Sequence, residues 1–499
     1  MKKIIKYIMA TSVILMFASC TNLDENIYSD VKKEDFFKSE IQVALYAGRA
    51  YNTLQNWGTE QSWWTLDIQL GDECCVPKNS TGEWSNQRYA ELQTHAIPAG
   101  NKLVRKGWDF CFDGITACND VIYEIENTKN EFAGKDGILA EMKVLRAFYY
   151  FLAADAFGNI PYSVDKNATD YPEQKDRSFF FTFIEKEIKD NIEALSDQNN
   201  AEYYGRVTQG MANTLLAKLY LQAECWGLDE KWSEAAEAAK SVIGSGKYQL
   251  EDQYKANFAI ENEKSKESIF AIPYSTVYTT SSDNAFCLFV LALNPILAEH
   301  YNTTINVWDG FVGQPDFFQT YEENDRRRSD TFLYGETPIS GYVINPIFPE
   351  SKYASGRLET EGAYIHKWTY QTDGLLTGDD TSMNNDFILF RYADVILMYA
   401  EALIRDGKSL DSDTLEGLKK IRERAGLTAI TDWDIEKLYS ERSHEMALEG
   451  WRRMDMIRFG TYQNTWFAKG TRTPNDGLLL PIPSEIKSAN PNLKQNPGY

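Results

Sequence analysis

At 499 residues the chain exceeds what one hydrophobic core usually serves, so it holds either several domains or one extended repeat architecture. A formal charge of −22 excludes broad binding of nucleic acid or other polyanions over most of the surface. Aromatic residues make up 13% of the chain, and 12 Trp with 29 Tyr exceed ordinary core demand, leaving rings available for binding.

Residues 1–19 read as a lipoprotein signal peptide. Lys2, Lys3 and Lys6 form a basic start, and Ile8 to Phe17 an apolar run too short to span a bilayer. Small Ala18 and Ser19 precede Cys20 in the manner of a bacterial lipobox, so Cys20 is the expected lipid anchor. Removing those three lysines and no acid takes the charge from −22 to −25. Residues 20–38 then read as a tether, and 39–499 as one body without a flexible linker. No later stretch has 18 consecutive apolar residues, so attachment by lipid is expected rather than a spanning helix.

Periodicity predicts a helix from about Ser39 to Asn56 with Ile41, Leu45 and Leu54 inward. Residues 57–102 lose that period among Gly and Pro, with Trp57, Trp63, Trp64 and Trp84 between them, and read as an aromatic-rich loop region. Trp63 and Trp64 are assigned to the core. Helices follow at Val104–Thr128, 138–157, Phe179–Leu195, Thr208–Trp226 and Trp232–Ile243. The second of these is apolar over much of its circumference and belongs between neighbours. Gly158 and Pro161 end it. Small Ala212, Ala217, Ala235, Ala236 and Ala239 suit a tetratricopeptide-like helix pair. Residues 250–385 read as a second irregular, loop-rich region. Phe387–Arg405 with Thr414–Ala425 reads as another helix pair, and 441–460 as a further helix. The expected fold is all-α dominated, a superhelix of helix pairs (104–245 and 387–460) carrying large loop-rich ligand-binding segments.

The stretch LRAFYYFLAADAFGNIPY at 145–162, ERSHEMALEGWRRMDMIRFG at 441–460 and the tail LLLPIPSEIKSANPNLKQNPGY together resemble the SusD/RagB family, surface lipoproteins with which Bacteroidetes capture glycans. Acidic Asp24 and Glu25 after Cys20 resemble the export signals of such lipoproteins. The resemblance implies a non-catalytic glycan-binding protein at the outer membrane, seated as a lid on a TonB-dependent transporter of the SusC type. Two segments look like the family's ligand-site stretches: GDECCVPKNSTGEWSNQRYAEL at 71–92 and NVWDGFVGQPDFF at 306–318. Rings stack on the C–H faces of sugars while carboxylates, amides and guanidinium groups take the hydroxyl edges. On that chemistry the candidate contacts are Asp72, Asn79, Trp84, Arg88, Tyr89, Tyr278, Asn306 and Trp308.

Motifs for catalysis or metal binding do not emerge. His444-Glu445 lacks a second His at Leu448, so His444 reads as a surface residue in an ion-pair lattice. Glu445, Glu449, Arg452 and Arg453 sit at helix-neighbour spacing and are expected to pair with one another. Asp411 and Asp413 open a calcium-loop pattern that Leu415 ends. Besides Cys20 there are six cysteines without a Cys-x-x-Cys pair. They read mostly as buried thiols, an adjacent Cys74–Cys75 disulfide being the rare alternative. No cofactor, metal or nucleic acid is called for. A surface glycosidase and a helical scaffold for peptide or protein stay open as alternatives, because 73 acidic residues can hide a carboxylate pair.

Overall fold

The computed structural model describes residues 39–80, 84, 87–168, 170–279, 285–301, 307–336, 341–370 and 382–499. The signal segment, Cys20, the tether and Asn306 lie outside the described residues. The architecture is helical with short strands. In chain order the main elements are α1 (Glu40–Asn52), α2 (Trp63–Leu70), β1 (Cys74–Cys75), α3 (Gln87–Gln93), α4 (Lys102–Asn127), α5 (Lys135–Phe157), α6 (Arg177–Asn191), α7 (Gln209–Leu221) and α8 (Trp232–Gly244). They continue with β2 (Ser268–Ile272), β3 (Val312–Gly313), β4 (Phe332–Leu333), β5 (Ala363–Ile365), β6 (Phe387–Arg391), α9 (Tyr392–Arg405), α10 (Ser412–Arg424), α11 (Ile435–Glu445) and α12 (Arg452–Arg458).

The axial helix is α5, buried from Val144 to Phe157. Its circumference is covered by α4 on one side and α6 on another. Gly114 of α4 lets Tyr149 approach: a Cβ there would lie 2.3 Å from the ring. The Tyr149 hydroxyl shares a hydrogen bond of 2.6 Å with Thr53 Oγ1. Gly158, at φ 74°, gives α5 its left-handed stop, and its N–H donates to Ala154 O. The helices α7 and α8 pack as a pair, and α8 packs in turn on α9, which meets α10 and α11. Among the loop-rich segments, β1, β3, β5 and β4 form a small antiparallel sheet in the order β1-β3-β5-β4.

Several elements depart from the sequence-based expectation. The 57–102 segment holds two helices, α2 and α3, where only loop was expected. Ser62 caps α2 by accepting from Thr65 N, and every residue of α2 is buried, so no amphipathic period marks it. Phe387–Arg391 is strand β6, paired antiparallel with β2 rather than part of a helix. A short apolar run buried on both faces carries no period that separates strand from helix. Residues 441–460 form two helices, because Leu448 (φ 64°) and Gly450 (φ 80°) turn the chain between α11 and α12. Trp64 Nε1 donates to Leu448 O, and Leu448 N donates to the Glu73 carboxylate, which pins the turn. Ile41 and Leu45 face outward, 73% and 71% exposed, against the expected inward stripe. Val43, Ala47 and Ala50 are the residues of α1 that are buried.

A buried ion-pair lattice binds the irregular region to the helices. Arg391 donates to Glu449 (2.7 Å), Glu445 (2.7 Å) and Glu267 (3.3 Å). Arg424 reaches Glu267 and Glu445, Arg327 reaches Asp325, Glu441 and Glu445, and Lys367 reaches Glu449. Glu445 and Glu449 thus pair with distant cations, not with Arg452 and Arg453 as spacing suggested. Arg452 instead forks onto Asp72, and Arg453 meets Asp155. His444 is buried, not on the surface, with its ring stacked 4.2 Å from that of Tyr321 and hydrogen-bonded to Thr320. Asp411 caps α10. Cys74, Cys75, Cys111, Cys118, Cys225 and Cys287 are all free thiols.

Burial alone would raise the Glu445 carboxyl, but Arg424, Arg391 and Arg327 outweigh it and hold it well below the usual range. A carboxyl depressed in the folded state contributes stability above its unfolded pKa and loses it as pH falls. Unfolding stability should therefore begin to drop below about pH 5. Glu445→Gln leaves its arginines with an uncompensated buried charge and should cost about 3–5 kcal/mol at pH 7, with a flatter acid limb. Urea unfolding from pH 7 to 3 measures both, and an unchanged midpoint would refute the role given to Glu445.

Candidate ligand-binding site

An open cleft of about 580 Å³ lies between the Asn56–Ser62 segment, the N-terminal half of α4 and Trp308. Helix α4 begins at Asn101, whose side chain accepts from Leu103 N and Val104 N. It turns Lys106, Asp109 and Asp113 toward the cleft, with Phe110 beneath them. Glu60 and Gln61 form the facing wall.

Trp308 is fixed through its backbone. Its N–H donates to Val290 O (2.8 Å), and the next residue, Asp309, takes a left-handed φ of 51°. Such a conformation needs external support in a residue with a Cβ. Arg357 supplies it, donating to Asp309 Oδ1 (2.5 Å) and to the Tyr364 hydroxyl of β5 (2.7 Å). Trp84 reaches across from its own strained φ of 62°, and its indole N–H donates to Trp308 O (2.5 Å). The two rings lie 6.1 Å apart at 43°, both partly buried. Gly310 makes room for this: a Cβ there would fall 2.7 Å from the Trp84 ring. Tyr89 and Phe311 pack edge-on or tilted behind Trp84 at 5.6 and 5.9 Å.

Of the sequence-predicted residues, Asn79, Trp84, Arg88, Tyr89 and Trp308 come together. Their roles divide by burial. Tyr89 is 0% exposed and donates its hydroxyl to Glu60 (3.0 Å), while Asn79 is buried and reaches Trp308 O (3.5 Å). Both are buried and back the two rings. Arg88 pairs with Glu60 (2.9 Å) and lies over the Tyr89 ring. Asp72 is not in this group. It is held by Arg452 at 2.7 and 2.9 Å on the scaffold side. Tyr278 is 84% exposed, four residues beyond Tyr274, whose hydroxyl accepts from Gly58 N (3.0 Å). Asn306 is outside the described residues.

Sequence reading missed Glu60, Lys106, Asp109 and Asp113. Glu60 sits between Trp57 and Trp63, a pattern that could have marked it. The others occupy the polar face of an ordinary amphipathic helix and carry no local signal. Partial desolvation, with Asp109 one turn away, raises the Asp113 carboxyl above its usual range. Asp109 is paired with Arg105 at 2.7 Å. Among the described residues there is no cluster of three or more His, Cys, Asp or Glu arranged to hold a metal. The arrangement offers an indole ring, braced by a second one tilted against it, beside charge-balanced hydrogen-bonding groups. Glu60→Gln should loosen both Arg88 and Tyr89 and cost about 1–2 kcal/mol in denaturant unfolding. Loss of less than a few tenths would show that Glu60 does not brace the rings.

Comparison with known proteins agrees with this architecture. Residues 244–499 match the model described as the SusD family, and residues 22–221 match one described as starch-binding associating with outer membrane. The chain is 26% identical to the starch-binding protein SusD of Bacteroides thetaiotaomicron over 72% of each chain. It is 25% identical to a SusD-like protein of Formosa agariphila over 98% of each. Its fold is similar to that of surface glycan-binding protein A from Bacteroides thetaiotaomicron in complex with laminarihexaose. That likeness has a TM-score of 0.77 at 22% identity and covers 92% of this chain and 100% of that one. A laminarin-binding SusD-like protein matches with a TM-score of 0.76, also at 22% identity, over 93% of this chain and 100% of the other. The chain belongs to the SusD family, outer-membrane-associated proteins built on a tetratricopeptide-like helical scaffold.

Proposed function

We propose that this protein binds a glycan at the cell surface without cleaving it and passes it to a partner transporter of the SusC type. The observation that carries the reading is Trp308 in the cleft lining beside Glu60, Lys106, Asp109 and Asp113, braced from its far side by Trp84. Rings fixed in this way lose little freedom on binding and stack on sugar faces. The cleft carboxylates of Glu60 and Asp109 are each engaged by an arginine, which suits hydrogen bonding to hydroxyls better than proton transfer. That relatives carry names of starch and laminarin binding supports a polysaccharide ligand.

The division of the chain follows from this reading: a signal segment at 1–19, acylated Cys20, a tether at 20–38 and a glycan-binding body at 39–499. Among the described residues no helix is long and apolar enough to cross a membrane. The ligand is a neutral or mixed oligosaccharide, because strong negative charge disfavours sulfated or uronic polymers.

Calorimetry with the chain starting after Cys20, titrated with laminarin, starch and a panel of plant and host glycans, tests the proposal. Binding should weaken about tenfold or more in Trp84→Ala and in Trp308→Ala, with the glycan recovered uncleaved. Binding indifferent to both tryptophans, or a shortened glycan, would overturn it. Gly310→Ala should displace the Trp84 ring and weaken the same binding several-fold. Its thermal midpoint should stay close to wild type, since the partly buried Trp84 ring can swing outward.

A further inference from the structure

A second groove of about 280 Å³ lies further along α4, between that helix and a wall that includes Pro161, Ser163, Lys166 and Pro172. Its wall has the makings of a sugar site. Phe112 is half-buried, with one face stacked on Trp108 (centroids 4.4 Å apart, 24°) and the ring at the groove surface. Lys166 is held in place by Glu124 (3.0 Å) and Asp120 (3.4 Å), and Tyr171, 60% exposed, stands next to Pro172 at the groove edge.

The two depressions share one helix. Lys106, Asp109 and Asp113 line the first, and Thr116 and Asp120 the second. Steps of three and four residues place all five on one stripe of α4. The stripe is polar and solvent-facing, in contrast to the buried Cys111, Gly114, Ile115 and Cys118 behind it. From Phe110 to Thr116 the helix rises roughly 9 Å, a span that a short run of sugar rings covers.

We propose that the binding site continues along α4, so that one extended oligosaccharide occupies the Trp84–Trp308 cleft and the Phe112 groove together, making this protein a reader of chain length. The inference rests on the glycan reading of the first cleft. Once the first cleft is filled, the second groove meets the same chain at high effective concentration, and affinity rises with length without a new ligand type. A terminal disaccharide in the first cleft gains nothing from the groove.

The test is calorimetry of the chain starting after Cys20 with laminari- and malto-oligosaccharide ladders from dimer to octamer. Affinity should climb about tenfold between the shortest member that binds and the longest. Phe112→Ala removes the second platform. Thr116→Arg, at an exposed position that leaves the Trp108 stack intact, obstructs the stripe. Both should abolish the climb and leave the shortest binding member unchanged, while Trp308→Ala weakens every length. A flat length profile in wild type, or a climb that survives both variants, overturns the extended site and leaves glycan binding at the first cleft standing. Failure of every member of both ladders to bind overturns the glycan reading of the cleft for these polymers, and the extended site with it.

Discussion

Arg391 stands where separate parts of the chain must meet. It ends strand β6, and its guanidinium is shared by Glu267 beside β2, Glu445 at the end of α11 and Glu449 in the turn that follows. All four side chains are buried, so none can fall back on water. Buried charge of this kind adds little net stability over an apolar core, but removing one partner is severe. Such a group therefore acts as a registration device. The loop-rich region has little periodic structure to fix it, and the lattice allows it one position on the helices.

That registration reaches the candidate cleft through short chains of contact. Glu73, next to Asp72 and β1, accepts from Leu448 N in the turn after α11, and Trp64 donates to the carbonyl of the same residue. Strand β1 pairs with β3, and β3 begins one residue after Trp308, Asp309 and Gly310. The strained backbones of Trp84 and Asp309 persist because Arg357, Tyr364 and the Trp308 carbonyl over-determine them. Loops positioned so tightly can offer a preformed surface, with little left to order when a ligand arrives.

The helical scaffold was legible in the sequence because its faces repeat. Helix α5, the α7–α8 pair and α10 lie within a few residues of where periodicity put them. The misses share a physical cause. Helix α2 and strand β6 are buried on all sides, and complete burial erases the contrast between faces on which a period depends. The break at Leu448 and Gly450 was hidden because a left-handed leucine is held by tertiary contacts, not by local turn chemistry. In the site, Trp84 and Trp308 were legible as loop aromatics. Glu60, Lys106 and Asp113 were not, since a polar residue on a helix or loop surface becomes part of a cleft only when another segment folds opposite it. Tyr89 shares that cluster, but packing turns its hydroxyl inward onto Glu60, an orientation no local signal carries.

The charge pattern of the cleft bears on what it can do. Glu60 is shared between Arg88 and Tyr89, and Asp109 is taken by Arg105, so both present oxygen acceptors whose charge is already met. Among the described residues Asp113 has no salt-bridge partner, and desolvation makes it easier to protonate. Glycoside hydrolysis needs an acid and a second carboxylate free to act as base or nucleophile across the bond. On the proposed reading, the wall beside Trp308 offers paired oxygen acceptors rather than such a carboxylate couple. The same pairing offsets, at the cleft wall, the general negative charge of a strongly acidic protein.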